Sequence, residues 1–251
     1  MFYGIQPEKL ETFRQALGSI VELYGGHVFA ADMLITIGRN LSFCLDKKLD
    51  ASFMSTAQTD QEKSLVWRLH VLTWAASNAL HVEGDFVECG VFHGFSSAVI
   101  CKYLEFERLE RAFYLYDTFN GLPQETSTEE ERTGNARYDA DDREALFSQV
   151  KNTFSPYPNV QIIQGIVPYS FAEGAPEKIS YLHIDMNSVQ AEILALEHLF
   201  DRVSVGGFIV LDDFGWLANR NQMLAETEFM QQRKHQILEL PTGQGLIIKH
   251  A

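Results

Sequence analysis

Basic residues are in short supply. The 251-residue chain carries 20 Lys and Arg against 34 Asp and Glu, a formal net charge of −14. Nucleic acid and anionic membrane surfaces are held through clustered Lys and Arg, so this balance speaks against non-specific binding to either. Cysteine is scarce too. Cys44, Cys89 and Cys101 are an odd number with no C-x-x-C pair, which fits reduced, buried thiols in a cytoplasmic protein. No apolar run approaches the ~20 residues of a membrane span, and the N-terminus lacks the basic-then-apolar order of a secretory leader. Two marks of nicotinamide enzymes are also missing, a G-x-G-x-x-G turn and a Tyr-x-x-x-Lys pair.

What is present suits a globular α/β protein. The composition is 46% hydrophobic and 12% aromatic, enough for the core of one domain with elaborations, or of two small ones. Residues 1–80 show helical periodicity, with Leu10, Phe13, Leu17, Ile20 and Val21 at one end and Leu65, Val66, Leu69, Leu72 and Ala76 at the other. Between them, residues 47–60 are irregular. This part predicts a helical extension or cap on a main domain of residues 81–251. From Gly84 on, apolar runs at 85–89, 112–116, 160–163, 179–184 and 207–211 alternate with helical segments. Runs apolar throughout fit buried parallel strands. Ser204–Gly207 reads as the turn into the last of them. Two short runs, Gln236–Leu240 and Leu246–Lys249, split by Pro241-Thr-Gly-Gln-Gly245, predict a closing hairpin. The expected fold is a doubly wound, mostly parallel seven-stranded sheet, whose ligands bind beyond the carboxyl ends of the strands. The acidic stretch 124–144, poor in large apolar groups, reads as a mobile spacer or a lid.

The sequence Asp85-Phe-Val-Glu-Cys-Gly-Val-Phe-His-Gly-Phe-Ser-Ser97 carries the most information. It reads as strand, glycine turn and helix start, with Glu88 where a dinucleotide turn has glycine. A carboxylate there repels a pyrophosphate. It suits a ligand that presents a cation and hydroxyls, as S-adenosylmethionine does. Gly90, Gly94 and Ser96 belong to this turn, and His93 reads as its solvent side. Asp117, with Thr118 beside it, follows the second strand, where an acidic residue accepts ribose hydroxyls or caps a turn. Gln164 and Gly165 follow the third and suit an adenine edge. Asp185 follows the fourth, and Asp212 and Asp213 the fifth. Three carboxylates at one mouth suit Mg²⁺, which would lower the pKa of a hydroxyl about to react. Asn187 adds a neutral oxygen. His183 reads as a core histidine, and Phe214 and Trp216 as pocket wall or core.

Gly84–Gly94, Asp117-Thr-Phe-Asn-Gly-Leu-Pro123, Ile184-Asp185 and Leu199–Asp213 together resemble the macrocin O-methyltransferase family, which includes mycinamicin and novobiocic acid methyltransferases. Phe53-Met54-Ser55 adds a short signature, and the likeness runs collinearly over roughly residues 50–249. The resemblance implies a class I, Rossmann-like methyltransferase fold, S-adenosylmethionine as donor and usually Mg²⁺. It implies a sugar or phenolic hydroxyl as acceptor. It makes Asp185, Asp212 and Asp213 metal ligands and, in some members, Asp185 the general base. Relatives read I-D-G-D-x-Y-E after the fourth strand, whereas here Asn187, Val189 and Gln190 replace the second Asp, the Tyr and the Glu. Two other readings stay open: a nicotinamide-dependent oxidoreductase, and a degenerate domain kept for binding or assembly. A homo-oligomer is left open as well.

Overall fold

The first third of the chain mixes helix and strand. The computed structural model describes Phe2 and residues 5–251. Met1, Tyr3 and Gly4, on which parts of the expected helical extension and of the N-terminal reading fall, lie outside the described residues. Helix α1 (Leu10–Tyr24) leads into an antiparallel hairpin of β1 (Val28–Ala31) and β2 (Leu34–Ile37). The helical extension expected over residues 1–80 thus also contains a strand pair. Ile35, Thr36 and Ile37 are β-branched and favour extended backbone. Asp32 and Met33 make the tight turn at φ 47° and 61°. The 47–60 stretch, expected to be irregular, contains α2 (Lys47–Met54), begun by Asp46, whose carboxylate accepts from the amides of Lys48 and Leu49. A reciprocal capping box between Thr59 and Glu62 opens α3 (Asp60–Ser64), and α4 (Val66–Ala79) follows. Leu69, Leu72, Ala75, Ala76 and Ala79 of α4 are fully buried. So α4 shares the main core.

The main sheet contains β3 (Asp85–Cys89), β4 (Phe113–Asp117), β5 (Val160–Gln164), β6 (Ile179–Ile184), β7 (Val203–Leu211), β8 (Leu238–Glu239) and β9 (Gly245–Ile248). Their order is β5-β4-β3-β6-β7-β9-β8. The first five run parallel, and the β8–β9 hairpin closes the sheet antiparallel to β7. Strand β7 begins at Val203, earlier than expected. The residues read as a turn are strand, and Gly206 at φ 87° lies where the register against β6 slips. Helices α5 (Phe95–Leu104), α6 (Glu129–Gly134), α7 (Arg143–Phe154), α8 (Val189–Leu199) and α9 (Arg220–Gln232) complete the chain.

Successive side chains on a strand point to opposite faces, and this parity divides the core in two. Phe86, Phe113, Leu115, Tyr181, Phe208 and Val210 pack under α4 and α5. Their neighbours Val87, Cys89, Tyr116, Leu182, Ile184, Ile209 and Leu211 pack under α8 and α9. The segment 124–144 is partly helical. Glu131 of α6 completes a capping box with Thr128 and also accepts from the amide of Val189 at 2.9 Å. Ser188 Oγ donates to the Thr126 carbonyl at 2.5 Å, tying the segment to the start of α8.

Candidate active site

The chain winds outward in one direction from β3 and in the other from β6. At such a switch point the connecting loops part, leaving a crevice beyond the carboxyl ends of the strands. A cavity of about 450 Å³ lies there. Glu88, Gly90, Ser96, Asp117, Thr118, Gly165 and Asp185 line it. Gly94 packs on the Phe154 ring instead, and Gln164 faces a separate shallow depression beside Arg143. Asp212 and Asp213 are not on the cavity wall. Thr59, Glu62 and Leu65 supply a wall the sequence did not announce, and Arg137 and Tyr138 bring the acidic segment to the cavity. Burial pushes the Tyr138 phenol up to about 12. The capping signature Thr59-x-x-Glu62 was readable, but not the direction it faces.

Gly90 has φ 91°, and a Cβ on it would overlap the Asp185 carbonyl. Its first task is thus to let the turn close on the β6 loop. Asp117 holds the other side of the turn. Its carboxylate accepts from the amides of Val91 (2.6 Å), Phe92 (2.8 Å) and Phe119 (2.5 Å). A carboxylate has about four acceptor directions, so roughly one is left for a ligand hydroxyl. The Glu88 carboxylate is turned inward. It is 2% exposed, accepts from Ser97 Oγ and meets His183 Nδ1 at 2.7 Å. Its charge is spent on these partners, so carboxylate character on the cavity wall comes from Asp117 and Asp185.

Glu88 and His183 are register partners on β3 and β6, and Asp212, one residue past β7, shares the parity of Val210, the partner of His183, so all three lie on the face covered by α4 and α5. His183 Nε2 lies 3.4 Å from Asp212 Oδ1, which also accepts from Gln244 at 2.8 Å. Burial alone would lower the His183 pKa, but hydrogen bonds to Asp212 and Glu88 push it up to about 10. Arg68 reaches down from α4. Its Nη1 pairs closely with Asp212 Oδ2 and lies 3.4 Å from Asp213 Oδ1, while Nε meets Asp32 of the hairpin turn at 3.2 Å. Burial would raise the Asp212 pKa, yet Arg68 and His183 hold it below the usual carboxylate range. Burial, with the charges of Asp212 and Asp213, lifts Asp185 well above that range.

A sequence profile described as Macrocin-O-methyltransferase (TylF) matches residues 66–240. The chain belongs to the macrocin O-methyltransferase family. A curated relative, the mycinamicin III 3''-O-methyltransferase of Micromonospora griseorubida, is 27% identical over 161 residues, covering 59% of this chain and 62% of that protein. The match thus spans under two thirds of that relative's length. Among solved structures, the calicheamicin methyltransferase CalS11 superposes with a TM-score of 0.62 at 16% identity, over 98% of this chain and 95% of its own. The S-adenosylhomocysteine-bound Podospora anserina methyltransferase PaMTH1 superposes with a TM-score of 0.54 at 12% identity, over 99% of both chains. At these identities the solved structures establish the class I methyltransferase fold.

For this macrocin-type chain the resemblance brings Mg²⁺ to the acidic centre. His183, Asp185 and Asp212 do offer ligand atoms within 4.8 Å of one another. The donors nevertheless do not fit a divalent ion as they stand. Both His183 nitrogens are engaged by carboxylates, and Asp212 accepts from Arg68 and Gln244. Asp213 accepts from Arg68, and Asp185 accepts from Asn187 Nδ2 at 3.3 Å. Mg²⁺ needs free oxygen lone pairs in near-octahedral array, and a guanidinium at the same oxygens repels it.

Proposed function

We propose that this chain is an S-adenosylmethionine-dependent O-methyltransferase acting on a hydroxyl of a small molecule or sugar. Family membership supports the reaction, and the S-adenosylhomocysteine held by a protein of the same fold supports the donor. The observation that carries the reading is the convergence of Asp117 and Asp185 on one switch-point cavity. The donor supplies an electrophilic methyl group on a sulfonium. Asp117 would accept a ribose hydroxyl, and Thr118 and Gly165, also on the cavity wall, would hold the adenine side. The turn from Glu88 to Ser96 carries the methionine part. Asp185 orients the acceptor oxygen. Its carboxylate would take the hydroxyl proton as the acceptor oxygen receives the methyl group and the donor leaves as the neutral thioether. Its raised pKa makes it a stronger base than an ordinary aspartate. In-line positioning supplies most of the remaining rate. The segment 124–144 excludes water as a lid, and Thr59, Glu62 and Leu65 of the N-terminal part complete the cavity as a cap. Among the described residues no helix is long and apolar enough to cross a membrane, and a cytoplasmic location belongs to this proposal.

A direct test is a screen of hydroxylated small molecules and sugars with labelled donor, read by mass spectrometry. Transfer of one methyl group to an oxygen is the expected result. A second reading, a domain that binds without turnover, draws on the uncharged Asn187, Val189 and Gln190. Donor binding with no transfer across the screen selects it.

A further inference from the structure

We propose that Arg68 is the resident cation of the acidic centre, occupying the carboxylate oxygens of Asp212 and Asp213 that a divalent ion would use. The inference concerns the same site as the methyl-transfer reading, but its main test does not depend on that reading. Three independent features meet here. Arg68 is 8% exposed, and its guanidinium serves Asp32, Asp212 and Asp213 at once while its carbon lies 5.3 Å from the centre of the Trp216 ring. A planar fork of fixed charge suits such bridging better than a mobile lysine. The hairpin turn is built into the arrangement. Asp32, 7% exposed and at φ 47°, is the residue through which β1–β2 reaches the centre. A centre organised by a metal would have no need of that carboxylate on the arginine. Finally, the position where relatives carry a second Asp holds Asn187, whose side-chain amide donates to Asp185. All three candidate ligands thus accept N–H donors from the chain itself, which leaves the carboxylates paired and fixed without an ion.

The test is a titration of purified, EDTA-treated protein with Mn²⁺, following the free-ion signal by electron paramagnetic resonance, with and without S-adenosylhomocysteine. The wild type should take up no stoichiometric Mn²⁺. Arg68→Met should gain one site, at least tenfold tighter than any wild-type uptake, and Asp212→Asn in that background should remove it. Arg68→Lys, which keeps the charge, should resemble the wild type. One tightly bound Mn²⁺ per wild-type chain, lost in Asp212→Asn, would overturn the proposal, as would a folded Arg68→Met variant that gains nothing. Circular dichroism reports folding. If Arg68→Met does not fold, the wild-type titration alone decides: absence of uptake upholds the proposal and a stoichiometric site refutes it. Where an acceptor is known, turnover should be indifferent to EDTA. Failure to find any acceptor would count against the methyl-transfer reading and leave the Mn²⁺ result standing.

Discussion

Asp185 has to be basic enough to take a proton and still be placed at the cavity. Its carboxyl is held above the ordinary range by burial and by Asp212 and Asp213. Activity should therefore rise with pH along a limb displaced upward from that of a free aspartate, since only the deprotonated form is a base. Asp185→Asn should lower kcat by about 10²–10⁴ and remove that limb while S-adenosylhomocysteine affinity changes little. A variant with unaltered kcat would exclude Asp185 as the base. Glu226 is a second residue of consequence. It is fully buried against Glu192, which accepts from the amides of Met186 and Asn187 and so props the Asp185 loop. Burial, with the charge of Asp213 beside it, pushes Glu226 up to about 7 from its ordinary 4.5. The folded state holds this proton more tightly than the unfolded chain. Its stabilisation is complete below about 4.5 and is lost as pH rises through about 7. Melting temperatures measured from pH 5 to 8 should fall in the wild type, and the fall should be shallower in Glu226→Gln. At this scale the sequence was uneven. Asp117 and Asp185 were legible because they end apolar runs. Arg68 was not, because a lone arginine on a helix is normally solvated and its partner Asp212 lies 144 positions away.

The glycine turn and the acidic segment show what elements contribute. Asp117 is a brace for the turn as much as a ligand group. Asp117→Ala should therefore weaken S-adenosylhomocysteine binding and also destabilise the fold, by about 1–3 kcal/mol for the orphaned amides. Calorimetry and denaturant titration would read the two effects separately, and unchanged donor affinity would remove the ribose role. In the acidic segment, Glu131→Ala breaks the capping box and frees the Val189 amide. Limited proteolysis should then cut within residues 124–144 faster than in the wild type, and KM for the acceptor should rise. Equal cleavage rates would argue against a tethered lid. The strands of the main sheet were legible because uninterrupted apolar runs have few other fates. The β1–β2 hairpin was missed because its Asp32-Met33 turn lacks the glycine that announces such turns. Helix α2 was missed although Asp46 stood at its start, since its weakly apolar sequence gave no clear stripe.

For the whole molecule, topology does most to locate function. The reversal between β3 and β6 collects groups from the ends of four strands. The doubly wound, mostly parallel sheet followed from the alternation of strand and helix together with the resemblance. The direction of individual side chains did not, and Glu88 shows the difference. It stands at the predicted position, yet it pairs internally with His183 and Ser97. Ligand linkage gives a global check: S-adenosylhomocysteine at about 100-fold over its Kd should stabilise the protein by about 2.7 kcal/mol, a rise of several degrees in Tm. The most direct measurement is isothermal titration calorimetry of the purified chain with S-adenosylhomocysteine and, separately, with NAD. The account predicts one S-adenosylhomocysteine per chain, weakened in Asp117→Ala, and no heat from NAD. Binding of NAD with none of S-adenosylhomocysteine would contradict it.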